Sequence, residues 1–329
     1  MGRLLTLTTC QWADLTIDEL CGLAKKMGYD GLELACWGNQ LDPKRAALDD
    51  EYVAEVKATL EKHDMKVEAL AAHIIGQCVG DYDDPRLNNF APAELADQPD
   101  AIRAWGIETM KYVAIAAKKL GAYVVTGFTG SPIWKYLYSF PQTTEEMVEK
   151  GFQEVYDLWV PILDVFKENG IKFAHEVHPG EIAFDYYSTK RLLEKFADRP
   201  EFGINFDPSH LVWQGINPAV FLESFIDRVY HVHMKDAAVT LDGKTGLLGS
   251  HIDFGDRRRG WNFRSLGHGD VNFEEIIRVL NDYDYQGPLS VEWEDSGMER
   301  VYGATEAAAF VRKIDFKPSD VKFDDAISN

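Results

Sequence analysis

The stretch GINFDPSHLVWQG, Gly203–Gly215, joins a short apolar run to an aspartate, a proline and a histidine. A run this apolar reads as a strand buried on both faces, as in a parallel sheet covered by helices. Its abrupt end in Asp207 and Pro208 places a carboxylate at the strand's C-terminal tip, the end where α/β barrels keep their active sites.

Working outward, seven more runs share this character: Leu4–Thr8, Gly31–Cys36, Val67–His73, Ala122–Phe128, Lys172–His178, Val229–Asp236 and Leu289–Glu294. With Phe202–Asp207 they make eight, separated by stretches of helical periodicity, the alternation that builds a parallel sheet from βα units. The first helix should start in a capping box, Thr16 with Glu19, and stop at Gly28. Gly121, Gly170 and Gly287 should end later helices in the same left-handed manner. The expected fold is a single (β/α)8 TIM barrel over residues 1–314, followed by a polar tail, 315–329. Three long connections, about 74–101, 129–144 and 237–272, each follow a strand and should wall the C-terminal face.

The totals narrow the function. With 34 Lys+Arg against 54 Asp+Glu the net charge is -20, a field that repels phosphate backbones and argues against a nucleic-acid partner. Cys10, Cys21, Cys36 and Cys78 stand singly, without disulfide or zinc spacing, and read as reduced thiols. No apolar stretch approaches the ~20 residues of a membrane span. The first residues lack the pattern of a secretion signal, so no membrane partner and a cytoplasmic address are expected.

Alternate strand residues share a face. In the last four strands Phe173, Val177, Ile204, Phe206, Val232, Met234, Val291 and Trp293 fall on the helix-facing parity. The opposite parity carries Glu176, His178, Asn205, Asp207, His231, His233, Glu292 and Glu294, which would point into the barrel. Barrel interiors are normally filled by branched aliphatic side chains. Buried carboxylates need partners or protons, and one cation answers that need for several at once. Taking one residue per strand, the expected ligand set is Glu176, Asp207, His233 and Glu292. Three carboxylates and an imidazole suit a single hard or borderline divalent ion, Mn²⁺ first and Mg²⁺, Co²⁺ or Zn²⁺ as alternatives.

The ordered motifs HEVHP, FDPSHLVWQG, YHVHMKD, LGHGDVNFEEI and GPLSVEWED resemble those of the xylose-isomerase-like barrel superfamily, in its sugar phosphate isomerase/epimerase branch. The resemblance spans nearly the whole chain, from GYDGLELA to Glu292. In ketose-epimerase relatives two metal-binding glutamates also exchange a proton on opposite sides of the sugar. The resemblance therefore implies that Glu176 and Glu292 form the acid/base pair, that Asp207 and His233 complete the metal site, and that His210 touches substrate oxygen. It implies a metal-dependent sugar isomerase or epimerase that abstracts a proton beside a carbonyl through an enediolate. Two departures matter. Xylose isomerases carry Glu-x-Lys where this chain has Glu176, Val177 and His178, which disfavours a hydride shift. Ketose epimerases have an arginine shortly after the seventh-strand histidine, where Lys235 and Asp236 follow here.

His178, Lys235 and His73 are the further expected substrate contacts, with Trp12, Trp37 and Trp134 near strand ends as possible stacking walls. Arg257, Arg258 and Arg259 read as a solvated or subunit-contact patch that could also hold an anion. The expected ligand is a small sugar or keto-sugar, and the long loops and polar tail are compatible with a homo-oligomer or a small partner subunit. The alternative reading is a lyase on 3-keto-glycosides, in which the same abstraction is followed by β-elimination. An endonuclease IV-like activity is disfavoured by the charge, and a non-catalytic sugar-binding role would need no ion.

Overall fold

The computed structural model describes residues 2–321 and 323–327. In chain order its elements are β1 (Leu5–Thr8), α1 (Ile17–Met27), β2 (Gly31–Ala35), α2 (Pro43–Leu48), α3 (Asp50–Lys62), β3 (Lys66–Ala71), α4 (His73–Gly80), α5 (Pro99–Leu120), β4 (Val124–Gly127) and α6 (Glu145–Asn169). There follow β5 (Lys172–Glu176), α7 (Tyr186–Lys195), β6 (Phe202–Phe206), α8 (Ser209–Val212), α9 (Pro218–Phe225), β7 (Val229–Met234), β8 (Asp236–Val239), β9 (Trp261–Arg264), α10 (Phe273–Asp282), β10 (Leu289–Val291) and α11 (Arg300–Ile314). Eight strands close a parallel barrel in the order β1-β10-β7-β6-β5-β4-β3-β2. This is the single (β/α)8 barrel expected from the alternation of elements. The helix-facing residues Phe173, Val177, Ile204, Phe206, Val232, Met234, Val291 and Trp293 are all buried in the main core. Inside the barrel, Ala69, Val124 and Ala174 form a second, small cluster.

Helix ends follow their local chemistry. Thr16 and Glu19 form both halves of the capping box, and Gly28, with φ 98°, closes α1. Gly121 and Gly170 end α5 and α6 in the same left-handed region. Gly287 does not end α10: Asp284 takes the left-handed conformation instead. Gly287 is required because a Cβ there would stand 2.3 Å from the Tyr285 hydroxyl.

Three expectations about the strand ends change. The strands stop earlier, so Asp207 and Glu292 stand one residue beyond β6 and β10. His73 does not close β3; it is the first residue of α4. That helix packs against the chain leaving β4 so closely that a Cβ on Gly76 would lie 2.0 Å from the Phe128 carbonyl oxygen. Finally, Asp236 does not extend β7. Its carboxylate accepts backbone N–H bonds from Ala237, Gly267, Gly269 and Val271, which turns the chain out of the barrel. β8 and β9 then pair as an antiparallel hairpin separate from the barrel sheet.

α11 ends at Ile314, and the next residue, Asp315, is fastened by Arg3 through its backbone N–H and guanidinium. Lys322, Ser328 and Asn329 of the expected tail lie outside the described residues. Among the described residues no helix is long and apolar enough to cross a membrane.

Candidate metal centre and active site

The inward parity of β5, β6, β7 and β10 brings the four expected ligands together at the carboxyl end of the barrel. One donor atom from each of Glu176, Asp207, His233 and Glu292 lies within 4.8 Å of the others, and all four residues are buried. His233 Nδ1 stands 3.2 Å from Glu176 Oε2 and 3.0 Å from Glu292 Oε2. Asn205 bridges the set, its Nδ2 donating to Glu176 Oε2 at 2.8 Å and lying 3.1 Å from His233 Nδ1. Asp207 Oδ1 accepts from the Ser209 N–H at 2.8 Å, whereas Asp207 Oδ2 and Glu292 Oε2 are shielded from water without a hydrogen bond. Buried acceptors left in this condition are costly. Carboxylate oxygens and one imidazole converging on a small volume fit a divalent ion.

The charges of the centre respond to one another. Burial pushes the Glu176 carboxyl up, but hydrogen bonds from His210, His233 and His73 outweigh it and hold the group well below its usual range. Burial likewise opposes ionisation of Glu292, and the Lys235 ammonium reverses the balance downward. At Asp207 burial wins over the attraction of His210 and Lys235, leaving its carboxyl raised. Asp207 is therefore the member least compensated by protein groups alone.

A cavity of about 560 Å³ opens over this centre, lined by Glu176, Glu292, His73, His178, Lys235 and the rings of Trp12, Trp37, Phe128, Phe254, Phe263 and Trp293. His73 reaches it from the head of α4, with Nε2 3.0 Å from Glu176 Oε2. Lys235 Nζ sits 2.7 Å from Glu294 Oε2, 3.2 Å from Glu292 Oε1 and 4.2 Å from the centre of the Phe263 ring. His178 donates through Nδ1 to the Pro179 carbonyl oxygen at 2.6 Å. Since a carbonyl only accepts, Nδ1 carries the proton there.

Several expected residues stand elsewhere. His210 does not line the cavity: His178, at 4.0 Å between ring centres, and Phe263, at 5.5 Å, cover it. Its Nε2 instead lies 3.3 Å from Glu176 Oε1 and 3.4 Å from Asp207 Oδ2. Trp134 lines a neighbouring cavity rather than this one. Arg258 is paired with Asp256 on the surface, and Arg259 is stacked between Phe254 and Trp261, so neither faces the site. Asp295 is a buried wall residue that accepts from the Ser265 and Gly297 N–H groups.

One residue escaped the pattern. Glu33, on β2, is fully buried and gathers donors from across the barrel: Thr8 Oγ1 at 2.9 Å, Ser290 Oγ at 2.7 Å, His231 Nε2 at 2.9 Å, His233 Nε2 at 3.1 Å and the Thr126 hydroxyl. The signal available in the sequence was a lone glutamate in an otherwise apolar strand, GLELAC.

Comparison with known proteins agrees with this architecture. A family model described as xylose isomerase-like TIM barrel matches residues 21–314. The uncharacterized protein YfiH of Bacillus subtilis is 25% identical over 314 residues, covering 89% of this chain and 93% of that protein. An inosose dehydratase of Clostridium perfringens is 31% identical over 128 residues, 39% of this chain and 42% of its own length. Among solved structures, 3-keto-D-glucoside 4-epimerase, YcjR, from E. coli superimposes with a TM-score of 0.67 at 16% identity, covering 94% of this chain and 99% of that one. That likeness is one of fold.

Proposed function

We propose, since the chain belongs to the xylose isomerase-like TIM barrel family, that it is a divalent-metal-dependent sugar isomerase or epimerase. The observation that carries the reading is the pair of buried oxygens without hydrogen bonds, Asp207 Oδ2 and Glu292 Oε2, set among Glu176 and His233. Glu176, Asp207, His233 and Glu292 would hold the ion, Mn²⁺ before Mg²⁺, Co²⁺ or Zn²⁺. A bound divalent ion supplies a Lewis acid that stabilises the enediolate left when a carbon next to a carbonyl loses its proton.

The protein groups do the rest. Glu176, the last residue of β5, and Glu292, one residue beyond β10, take the proton from one side of the substrate and return it on the other. His73 and Asn205 fix the Glu176 carboxylate through Oε2. Gln11 Nε2 fixes Glu292 through Oε1 at 2.9 Å. His73, His178 and Lys235 line the cavity; Lys235 would present N–H groups to sugar oxygens, and His178, whose Nδ1 proton is engaged by the Pro179 carbonyl, would offer Nε2 as an acceptor. The aromatic walls exclude water and give apolar ring faces against which a sugar can lie.

A second reading is favoured by Lys235, a buried cation inside the cavity beside Glu292, and by the relatives named inosose dehydratases. In it the same abstraction is followed by elimination. The carbanion's electron pair forms a new C=C bond, the bond from the neighbouring carbon to its hydroxyl or glycosidic oxygen breaks, and that oxygen leaves as water or an alcohol with a proton from the Lys235 ammonium.

The test is a panel of ketoses, inososes and 3-keto-glycosides in D₂O, with and without chelator. Deuterium incorporation should require added Mn²⁺ and fall by about 10²- to 10⁴-fold in Glu176→Gln. A product of unchanged mass supports the isomerase or epimerase, and loss of water or an aglycone supports elimination. Exchange that survives both chelation and the substitution overturns both readings.

A further inference from the structure

We infer that Glu33 is a positioning residue that presents His233 to the metal through Nδ1, an inference that rests on the metal reading above. His233 has two ring nitrogens and two different neighbourhoods. Its Nε2 stands 3.1 Å from both Glu33 oxygens, whereas Nδ1 faces Glu176, Glu292 and Asn205. Glu33 accepts only, so a hydrogen bond to it keeps a proton on Nε2, and Nδ1 is the nitrogen whose lone pair faces the centre once an ion displaces any proton there. A partner carboxylate on the far side of a metal-binding imidazole sets both its tautomer and its ring orientation.

The rest of the Glu33 environment holds that carboxylate still. Thr8, Thr126, His231 and Ser290 donate to it from β1, β4, β7 and β10. Asn205 flanks the ring from the other side, its Nδ2 standing 3.1 Å from Nδ1. Glu33, His231 and His233 also lie close enough together to suggest a second ion. The hydroxyl donors already occupy the Glu33 lone pairs at hydrogen-bond distances, which makes Glu33 an orienting group and not a ligand.

The experiment uses the full chain with Mn²⁺ as probe. In titration calorimetry the unsubstituted protein should bind one equivalent, and Glu33→Gln, which keeps the volume but replaces one acceptor with a donor, should bind about 10- to 100-fold more weakly. His231→Gln, which bonds Glu33 and meets the ligand set only through an edge contact with the His233 ring, should weaken binding less. A readout independent of any variant's folding is the ¹⁵N spectrum of His233 in the Zn²⁺-loaded protein, expected to show Nε2 protonated and Nδ1 ligated. Affinity of Glu33→Gln within twofold of the unsubstituted protein, ligation through Nε2, or two equivalents of tightly bound ion would each overturn the inference. If the unsubstituted protein binds no divalent ion, the underlying metal reading falls with it.

Discussion

The middle of the barrel and its carboxyl-end mouth both bury carboxylates, but they treat them differently. In the middle, Glu33 receives hydrogen bonds on both oxygens from hydroxyls and imidazoles. At the mouth, Asp207 receives one backbone N–H, and its second oxygen is left bare of hydrogen bonds. A third case lies between them. Glu181 accepts the Thr129 and Gly130 N–H groups through Oε2, while Oε1 has no well-formed hydrogen bond. Burial and the neighbouring Asp81 charge push its carboxyl up to about 8. Glu33 is thus satisfied by the fold, whereas Asp207 and Glu181 each keep one oxygen open to a proton or a cation.

The comparison can be broken in four ways. The largest effect is expected at the mouth: Asp207→Asn should abolish stoichiometric Mn²⁺ binding in calorimetry, while the metal-free protein melts at the same temperature or higher. Retained binding would place the ion elsewhere. Next, Glu33→Leu should lower the unfolding free energy by about 3–5 kcal/mol in urea titrations, because it strands buried donors and leaves their imidazoles without a counter-charge. A loss under about 1 kcal/mol would remove Glu33 from its role as a hub.

Third, Glu181 makes a pH prediction with a definite sign. Its folded pKa of about 8 lies above the ordinary 4.5, so between those values the folded state keeps a proton that the unfolded chain has released. Stability should therefore fall as pH rises through that window, and Glu181→Gln should flatten the slope measured by denaturant titration at several pH values. An unchanged slope would show that another group takes up the proton. The smallest effect is expected on the surface. Arg258→Ala breaks an exposed pair with Asp256 and should leave the urea unfolding midpoint unchanged. It should also leave turnover unaffected by added phosphate, since the residue does not line the cavity.

The barrel and the four converging residues were legible because they rest on short-range pattern. Period-two parity separates Phe173 and Val177 from Glu176, and Ile204 and Phe206 from Asp207, whatever the rest of the chain does. Glu33 was not legible for the opposite reason. Its partners Thr8, Thr126, His231 and Ser290 are spread over most of the chain, and each is an ordinary strand residue until closure brings them together. His73 was misplaced because a β-like apolar run continues into a helix with no side-chain cap to mark its start. The exit of β7 into β8 is set by four backbone N–H groups meeting Asp236, a tertiary event that leaves no periodic trace. His210 was read as a substrate contact, yet it packs against the carboxylates instead, and its separation from the cavity depends on Phe263, fifty-three positions later in the chain.

The β8–β9 hairpin carries a consequence for the shape of the cavity. Val239 and Trp261 are cross-strand partners, so everything from 240 to 260 leaves and re-enters the molecule across one interstrand gap of about 5 Å. Within that excursion Phe254 and Gly255 supply part of the cavity wall, while all four proposed ligands lie outside it. The segment is a separable unit: a change in its length would reshape one wall of the cavity without moving any of the four residues that converge at the barrel mouth.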